Sequence, residues 1–507
     1  MFSYSEIRKN TYYDSVTLML ISGKLEKLRN VSQAAAMMGT EHNKLLMLRA
    51  GILDGQKARG CDANDLVIGI SGTTQQAVEE AKELLQTFFE EKNTKADCDE
   101  AQPVKSIEEA AQRLHGANVC IVSLPGKYAK RQAMKALREQ MHVLLFSDNV
   151  TVQEEQALKS YARQQGLLMM GPDCGTAIIN GVALGFANVV RRGHVGIVAA
   201  AGTGLQEATV LVERCGAGIS QAIGTGGRDV REEIGGSTML LALRALEADE
   251  NTHVIGIIAK PPAPSVLEKI KLAVRDFSKP VVCCFCGAAE GLLADTNMLT
   301  ADTIEEAAAR MAALGGGNAL PMPRKIENQV EQITLPPGRR YVRGLYSGGT
   351  LCYEAMHILQ KRLGQIHSNI VSEKAQLLHD AEQSLGHTLV DMGDDYFTDG
   401  MPHPMIDMRL RTERILKEAA DPETAVILLD CVLGYGCHQN PAGALTEAIQ
   451  QARRQTPGAV YVASVCGTDC DIQNRSAQVE IFRQAGVIVA ESNAMAAALT
   501  AQIVQKQ

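Results

Sequence analysis

The sequence predicts an α/β protein. Several doubly wound parallel-sheet domains of Rossmann or flavodoxin type follow a small α+β, ferredoxin-like N-terminal domain. Three observations carry this. From Ser106 onward, short apolar runs alternate with helical patterns, and strands that apolar are buried on both faces of a parallel sheet. The length, 507 residues, is too great for one hydrophobic core and suggests about three or four domains. Finally, "AAAGTGLQEA" at 199–208 is echoed by "RGLYSGGTLCYEAMHIL" at 343–359; each copy sets a glycine turn, a threonine and a glutamate between an apolar run and a helix.

The small domain is expected over 1–104. From Asp14 to Phe89 the chain reads as a strand-like "SVTLMLIS", a helix-like "KLEKLRNVSQAAAMMG", strand-like "NKLLMLRAG" and "DLVIGIS", then a helix, "TTQQAVEEAKELLQTFF". That βαββα order suggests a ferredoxin-like layer. Thr73 or Thr74 is placed to cap the last helix, with Glu79 and Glu80 in its early turns, where carboxylates favour the helix dipole. The polar "EKNTKADCDEAQPV" breaks the pattern and closes the domain.

A Rossmann-type domain is expected over 105–190. Its strands are "NVCIVSL", "HVLLFSD" and "LLMMGPD", separated by the helical "KYAKRQAMKALREQ" and "TVQEEQALKSYARQQG". Ser147 and Asn149 stand past a strand and before a helix, where open parallel sheets place their binding loops. A flavodoxin-type domain over 191–318 opens with "HVGIVAA" and a helix ended by Gly216, and continues through "GISQAIGTGGRD", "HVIGIIAKPP" and "PVVCCFCG". After a linker over 319–339, a second such domain over 340–507 repeats the plan with "RGLYSGG", "HTLVDMGDD", "AVILLDCVLG" and "GAVYVASVCGTD". An internal repeat of this kind suggests two similar units facing each other across a shared site.

Composition narrows the function classes. Apolar residues make up 46% and charged residues 21%, with a net charge of -8. This is a globular mix, and its acidity argues against nucleic acid or an acidic membrane as partner. No apolar run reaches the roughly 18 residues of a membrane span. "MFSYSEIRKNTYYDS" lacks the apolar centre of a signal peptide, so a cytoplasmic location is expected. Several of the 13 cysteines sit inside apolar strand-like runs and read as reduced, buried small hydrophobes. On an extended strand Cys284 and Cys286 share one face while Cys283 points the other way. No Cys/His pair of zinc spacing accompanies them, so no metal is expected.

The repeated words carry chemistry. Glycines let the backbone turn sharply from strand into helix, and the first helical N–H groups then point, unpaired, beyond the turn. With the partial positive charge of the helix end, this suits a phosphate or carboxylate. The candidate anion-binding residues are therefore Gly202, Thr203 and Gly204 with Gly348, Gly349 and Thr350. Glu207 and Glu354 stand about one turn inside their helices, where they either complement the dipole or serve the site. A second cluster holds Asp391, Asp394, Asp395, His403 and Asp407. Pro402 and Pro404 restrict the backbone around His403. His403 then reads either as a general acid/base or substrate-orienting group, or as part of a surface loop with capping aspartates. Arg228 either binds a carboxylate through two N–H groups or pairs with its neighbours, and His438 reads as a loop residue.

These residues resemble a known family. From about Ser106 onward the chain resembles the succinyl-CoA synthetase superfamily, and over nearly its whole length it resembles FdrA-type proteins. "GPDCGTAI" at 171–178, "GHVGIVAAAGTGLQEA" at 193–208 and "AIGTGGRD" at 222–229 are similar to signatures of the synthetase α subunit. The segment 340–507 resembles the ligase domain of the β subunit. "LFSDNV" at 145–150, "DMGDD" at 391–395 and "GMPHPMID" at 400–407 carry the FdrA-type likeness. The resemblance implies a CoA-binding-like domain at 105–190 and two ligase-like domains that aim paired helix N-termini at one phosphate.

The departures shape the expectation too. "AAEGLLADTNMLTADTIEEA", which follows the "PVVCCFCG" strand, holds no histidine where the synthetases carry a phosphorylated one. An ATP-grasp domain is also missing, so a nucleotide is not expected on this chain alone. The resemblance therefore implies a subunit of an acyl- or carbamoyl-transfer enzyme, related to oxamate carbamoyltransferase, that holds an acyl or carbamoyl phosphate in the shared cradle. The alternatives are an acyl-CoA ligase, or a CoA-binding scaffold that has lost catalysis. Coenzyme A is the candidate cofactor. Carboxylate substrates and other subunits, or further copies of the chain, are the expected partners. Candidate catalytic residues are His403 and Glu207; candidate substrate- or CoA-binding residues are Ser147, Asn149, Asp173, Gly226 and Arg228.

Overall fold

Strands and helices fall into two compact units, Met1–Val104 and Lys105–Gln507. The computed structural model describes residues 2–506 except 10, 12, 14, 27, 97–103, 290, 319–330, 371–374 and 399–400. Most of the expected linker 319–339 and the centre of the 91–104 boundary thus lie outside the described residues.

The smaller unit is α+β, as the sequence suggests, but three of its elements differ from the expectation. "SVTLMLIS" is helix, part of Ser15–Glu26. A short apolar run fits either state, and here Leu18, Ile21 and Leu25 bury one face at helical spacing. The alanine-rich stretch read as helix contains the strand Val31–Met38. Its alternation is real: Ala34 and Ala36 enter one core while Ala35 enters the core on the opposite face. "NKLLMLRAG" belongs to the helix Glu41–Arg49, capped by Thr40, whose side chain accepts the Asn43 N–H. An N-terminal strand, Phe2–Arg8, completes an antiparallel sheet in the order Phe2–Arg8, Leu66–Gly72, Val31–Met38. Of the two candidate caps for the long helix Gln75–Ala96, Thr74 accepts the Ala77 N–H at 3.2 Å.

Among its described residues the larger unit holds three sheets. The smallest is parallel: Val119–Val122, His142–Leu145, Met169–Met170. The next runs Leu299–Thr300, Val281–Phe285, Val254–Ala259, Arg192–Ala199, Ile219–Gly224 in parallel, then adds the antiparallel hairpin Thr176–Ile179 and Val182–Gly185. That hairpin precedes residue 191 yet pairs with the strands that follow it. The third sheet is parallel throughout: Gln376–Leu377, His367–Ser368, Thr388–Asp391, Tyr341–Tyr346, Thr424–Val432, Val460–Cys466, Ile488–Ala490. In both large sheets the main strands, numbered in chain order, lie 2-1-3-4-5, the flavodoxin-like order. The repeat in the text is a repeat in space.

Each repeat turns directly from its first strand into a helix, Arg192–Ala199 into Gly202–Arg214 and Tyr341–Tyr346 into Gly349–Leu363. The last helix of each repeat, Ile304–Leu314 or Asn493–Gln505, packs beside that first helix. One continuous apolar cluster runs through both repeats. They are therefore held as one body, with the carboxyl ends of their strands carrying the loops described next.

Candidate functional site

The two glycine-led helices meet at their N-termini. A β-carbon on Gly204 would stand 2.7 Å from Thr350 Cγ2, and one on Gly348 would stand 2.7 Å from Thr203 Oγ1. The absence of side chains at these two glycines is what lets the helix ends approach. Neither helix has a side-chain cap. Gly202, Thr203, Gly204, Gly348, Gly349 and Thr350 thus stand together in space.

The second end is furnished by groups that the glycine words do not announce. Asp430, fully buried, accepts the N–H groups of Ser347 and Gly348 at 2.8 Å each and the Ser347 hydroxyl at 3.0 Å. Arg411, equally buried, pairs with that carboxylate at 2.9 Å. The turn is thereby fixed, and those two N–H groups are already used. Asp391 accepts the Gly393 N–H at 3.0 Å. Its other carboxylate oxygen lies 2.4 Å from where a Gly349 β-carbon would be. Burial, reinforced by Asp394 and Asp430, raises the Asp391 carboxyl to about 7.

His403 stands beside this turn: its Nε2 and the Ser347 carbonyl each lie 2.7 Å from the β-carbon position of Gly393. The His403 Nδ1 accepts the Met405 N–H at 3.2 Å, which leaves the proton on Nε2. Burial, with Arg411 near, lowers the ring to about 4, so the imidazole is neutral at pH 7. Lys260 follows the strand Val254–Ala259 and sets its ammonium 4.7 Å from the centre of the Tyr353 ring. Sequence reading missed Lys260. Its one available signal is its place at the carboxyl end of a parallel strand.

Glu207 and Glu354 are buried and turned to structure. Glu207 accepts the Asn493 N–H at 3.0 Å, at the start of the other repeat's last helix. Glu354 accepts the Ile304 N–H at 2.7 Å, at the start of the first repeat's last helix, and the Asn493 side-chain amide at 2.7 Å. Each repeat thus caps the other. Burial raises both carboxyls, Glu354 to about 7. Beyond Glu354 opens a cavity of about 780 Å³ that shares none of the cradle's glycines or threonines. There His357, from the second repeat, presses against Gly287, at the start of the loop that lacks a histidine of its own.

The remaining candidates gather at the ends of the smallest sheet. Ser147 accepts the Leu124 N–H at 2.9 Å, and its carbonyl accepts the Asp173 N–H at 3.0 Å. Asn149 and Asp173 adopt positive φ, 52° and 54°. A β-carbon on Gly226 would strike the Pro172 carbonyl oxygen at 2.5 Å. Of the two readings of Arg228, the geometry gives pairing: it bonds the Val150 carbonyl at 2.7 Å and Glu155 at 2.8 Å. Asp173 keeps exposed surface although protein surrounds much of it. That setting, with Asp148 and Asp395 nearby, raises it to about 7. Asp395 belongs to the loop after Asp391, so the two groups of candidates border one another. Among the described residues, no set of three or more His, Cys, Asp or Glu side chains is arranged for a metal, and no helix is long and apolar enough to cross a membrane.

Family models match the chain in three places: "AllF, heavy metal-associated domain" over residues 1–105, "CoA binding domain" over 190–287 and "CoA-ligase" over 345–503. The "Uncharacterized protein YahF" of Escherichia coli (strain K12) is 41% identical over 512 residues, covering 99% of this chain and 98% of its own. The α subunit of ADP-forming succinate–CoA ligase from Staphylococcus epidermidis is 26% identical over 189 residues, covering 36% of this chain and 61% of that one. Among solved structures, the ATP citrate lyase of Methanosaeta concilii aligns with a TM-score of 0.36 at 16% identity, over 46% of each chain. The chain belongs to the family of YahF, built on the CoA-binding and CoA-ligase domains of the succinyl-CoA synthetase superfamily.

Proposed function

We propose that this chain is a subunit of an FdrA-type acyl- or carbamoyl-transfer enzyme, of the oxamate carbamoyltransferase kind, which holds an acyl or carbamoyl phosphate between its paired helix ends. One observation carries this reading: two uncapped helix N-termini, from two repeats of one fold, abut at Gly204–Thr350 and Gly348–Thr203. Backbone N–H groups and aligned dipoles at both ends suit a phosphate. His403, neutral with its proton on Nε2, serves as a hydrogen-bond donor that orients the substrate. Glu207 positions the cradle through its bond to Asn493. The segments 105–190, 191–318 and 340–507 act together, the first supplying Ser147, Asn149 and Asp173, and Gly226 and Arg228 holding that loop in place.

A second reading, acyl-CoA ligase activity or a CoA-binding scaffold, is favoured by the CoA-binding and CoA-ligase matches. The response to the phosphates, set beside that to coenzyme A, separates the two. The test is calorimetric titration of the full chain with carbamoyl phosphate, inorganic phosphate and coenzyme A, with thermal shift alongside. A ligand at a hundred times its dissociation constant stabilises by about 2.7 kcal/mol. The transfer reading expects the phosphates to bind whether or not coenzyme A does. Binding of coenzyme A with no response to either phosphate overturns it.

A further inference from the structure

We propose that Lys260 is the cation of this cradle: its ammonium pairs with the bound phosphate and makes the site selective for dianions over carboxylates. The proposal rests on the anion-cradle reading and adds the residue that sets ligand charge.

Position is the first argument. Gly204 packs near Ile258 (Cγ2 at 3.4 Å from its β-carbon position), and Lys260 follows two residues later, just past the end of the same strand. Its ammonium lies over Tyr353, on the first turns of the Gly349 helix. Lys260 therefore borders both helix ends.

Charge is the second. A cation beside a helix N-terminus opposes the macrodipole and is unfavourable unless an anion accompanies it. Among the described residues Lys260 makes no ion pair. Its charged and ionisable neighbours are Asp391, Cys352, Arg231 and Cys286, and burial lowers its pKa. Asp391, which faces Asp394, Asp430 and Lys260, already gives one oxygen to Gly393. A partly buried ammonium that no described carboxylate pairs with has a place for an external anion. Two helix ends supply roughly +0.5 each. With Asp391 protonated, Lys260 brings the positive field to roughly that of two charges, matching a phosphate dianion and exceeding a carboxylate.

Competition is the third. Asp391 lies over the start of the Gly349 helix and, when ionised, is the protein's own anion for this field. Ligand and Asp391 carboxylate then compete for Lys260.

The experiment titrates the full chain with inorganic phosphate and with acetate at pH 8, for the parent and for Lys260→Met, Lys260→Arg and Asp391→Asn. Expected are a loss of at least about tenfold in phosphate affinity in Lys260→Met, substantial recovery in Lys260→Arg, and tighter phosphate binding in Asp391→Asn. Acetate binds the parent much more weakly than phosphate does. As a measurement on the parent itself, phosphate slows acetic anhydride labelling of Lys260, followed by mass spectrometry, without protecting Lys361 at the far end of the helix. If the parent binds phosphate but neither Lys260→Met nor the labelling responds, the Lys260 proposal fails and the cradle stands. If Lys260→Met does not fold, the labelling result decides. A parent that binds no phosphate overturns both.

Discussion

Asp391 titrates between its ordinary value of 3.8 and about 7 in the folded protein, and that difference couples it to stability. A carboxyl held above its unfolded pKa favours the fold when protonated. Its contribution is complete below about pH 4 and is lost as pH rises through about 7. Asp391→Asn keeps an acceptor for the Gly393 N–H but cannot ionise. It is expected to melt higher than the parent at pH 8, with the gap closing as pH falls toward 4. Asp173 and Glu354 titrate over the same window, so the variant flattens the pH profile without abolishing it. Melting curves at pH 4.5, 6 and 8 check this, and parallel profiles for variant and parent would refute the assignment. Single residues are also where the sequence was least legible. Lys260 is one lysine after a strand, with no local spacing to mark it. Asp430 reads as a strand residue until the fold brings Ser347 and Gly348 to it. Glu207 and Glu354 do stand inside their helices as the sequence suggests, yet each finds its partner at the start of a helix in the other repeat.

At the scale of elements, the strand-to-helix turns were legible because a glycine turn between an apolar run and a helical pattern leaves few other conformations. The N-terminal elements were not. Short apolar or alanine-rich runs satisfy both periods, and only tertiary burial separates Ser15–Glu26 from Val31–Met38. The turns also make a graded prediction. Gly202 has open space where a β-carbon would be, whereas Gly204 faces the Thr350 methyl at 2.7 Å. Gly202→Ala should leave stability nearly unchanged, while Gly204→Val forces the helix ends apart at a cost of about 1–3 kcal/mol. It should also weaken phosphate binding. Equal melting temperatures for the two variants would show that the helix ends do not abut. The reciprocal caps extend the argument. Glu354→Ala strands two buried donors, the Ile304 N–H and the Asn493 amide, and should cost about 3 kcal/mol. Glu207→Ala strands one strong donor, the Asn493 N–H, and the weak donor of the Cys466 thiol, and should cost about 1–2 kcal/mol. Chemical denaturation gives both values, and a larger loss in Glu207→Ala would reverse the assigned roles.

At the scale of the whole molecule, the two repeats behave as one body and the N-terminal unit as another. The apolar cluster that runs through both repeats, together with Glu207 and Glu354 capping across them, means neither repeat completes its own helix ends. Met1–Val104 is different. Its apolar clusters draw only on its own residues, on both faces of its own sheet, and those of Lys105–Gln507 draw on none of them among the described residues. A separate core is the condition for separate folding. Calorimetry of the full chain should therefore resolve two transitions. Deleting residues 1–104 should remove one of them and leave the other near its original temperature. The same deletion should leave phosphate affinity unchanged, because every cradle group named here lies in Lys105–Gln507. A single cooperative transition that shifts as a whole on deletion would show that the units share stability. Loss of phosphate binding with the second transition intact would show instead that the N-terminal unit contributes to the site.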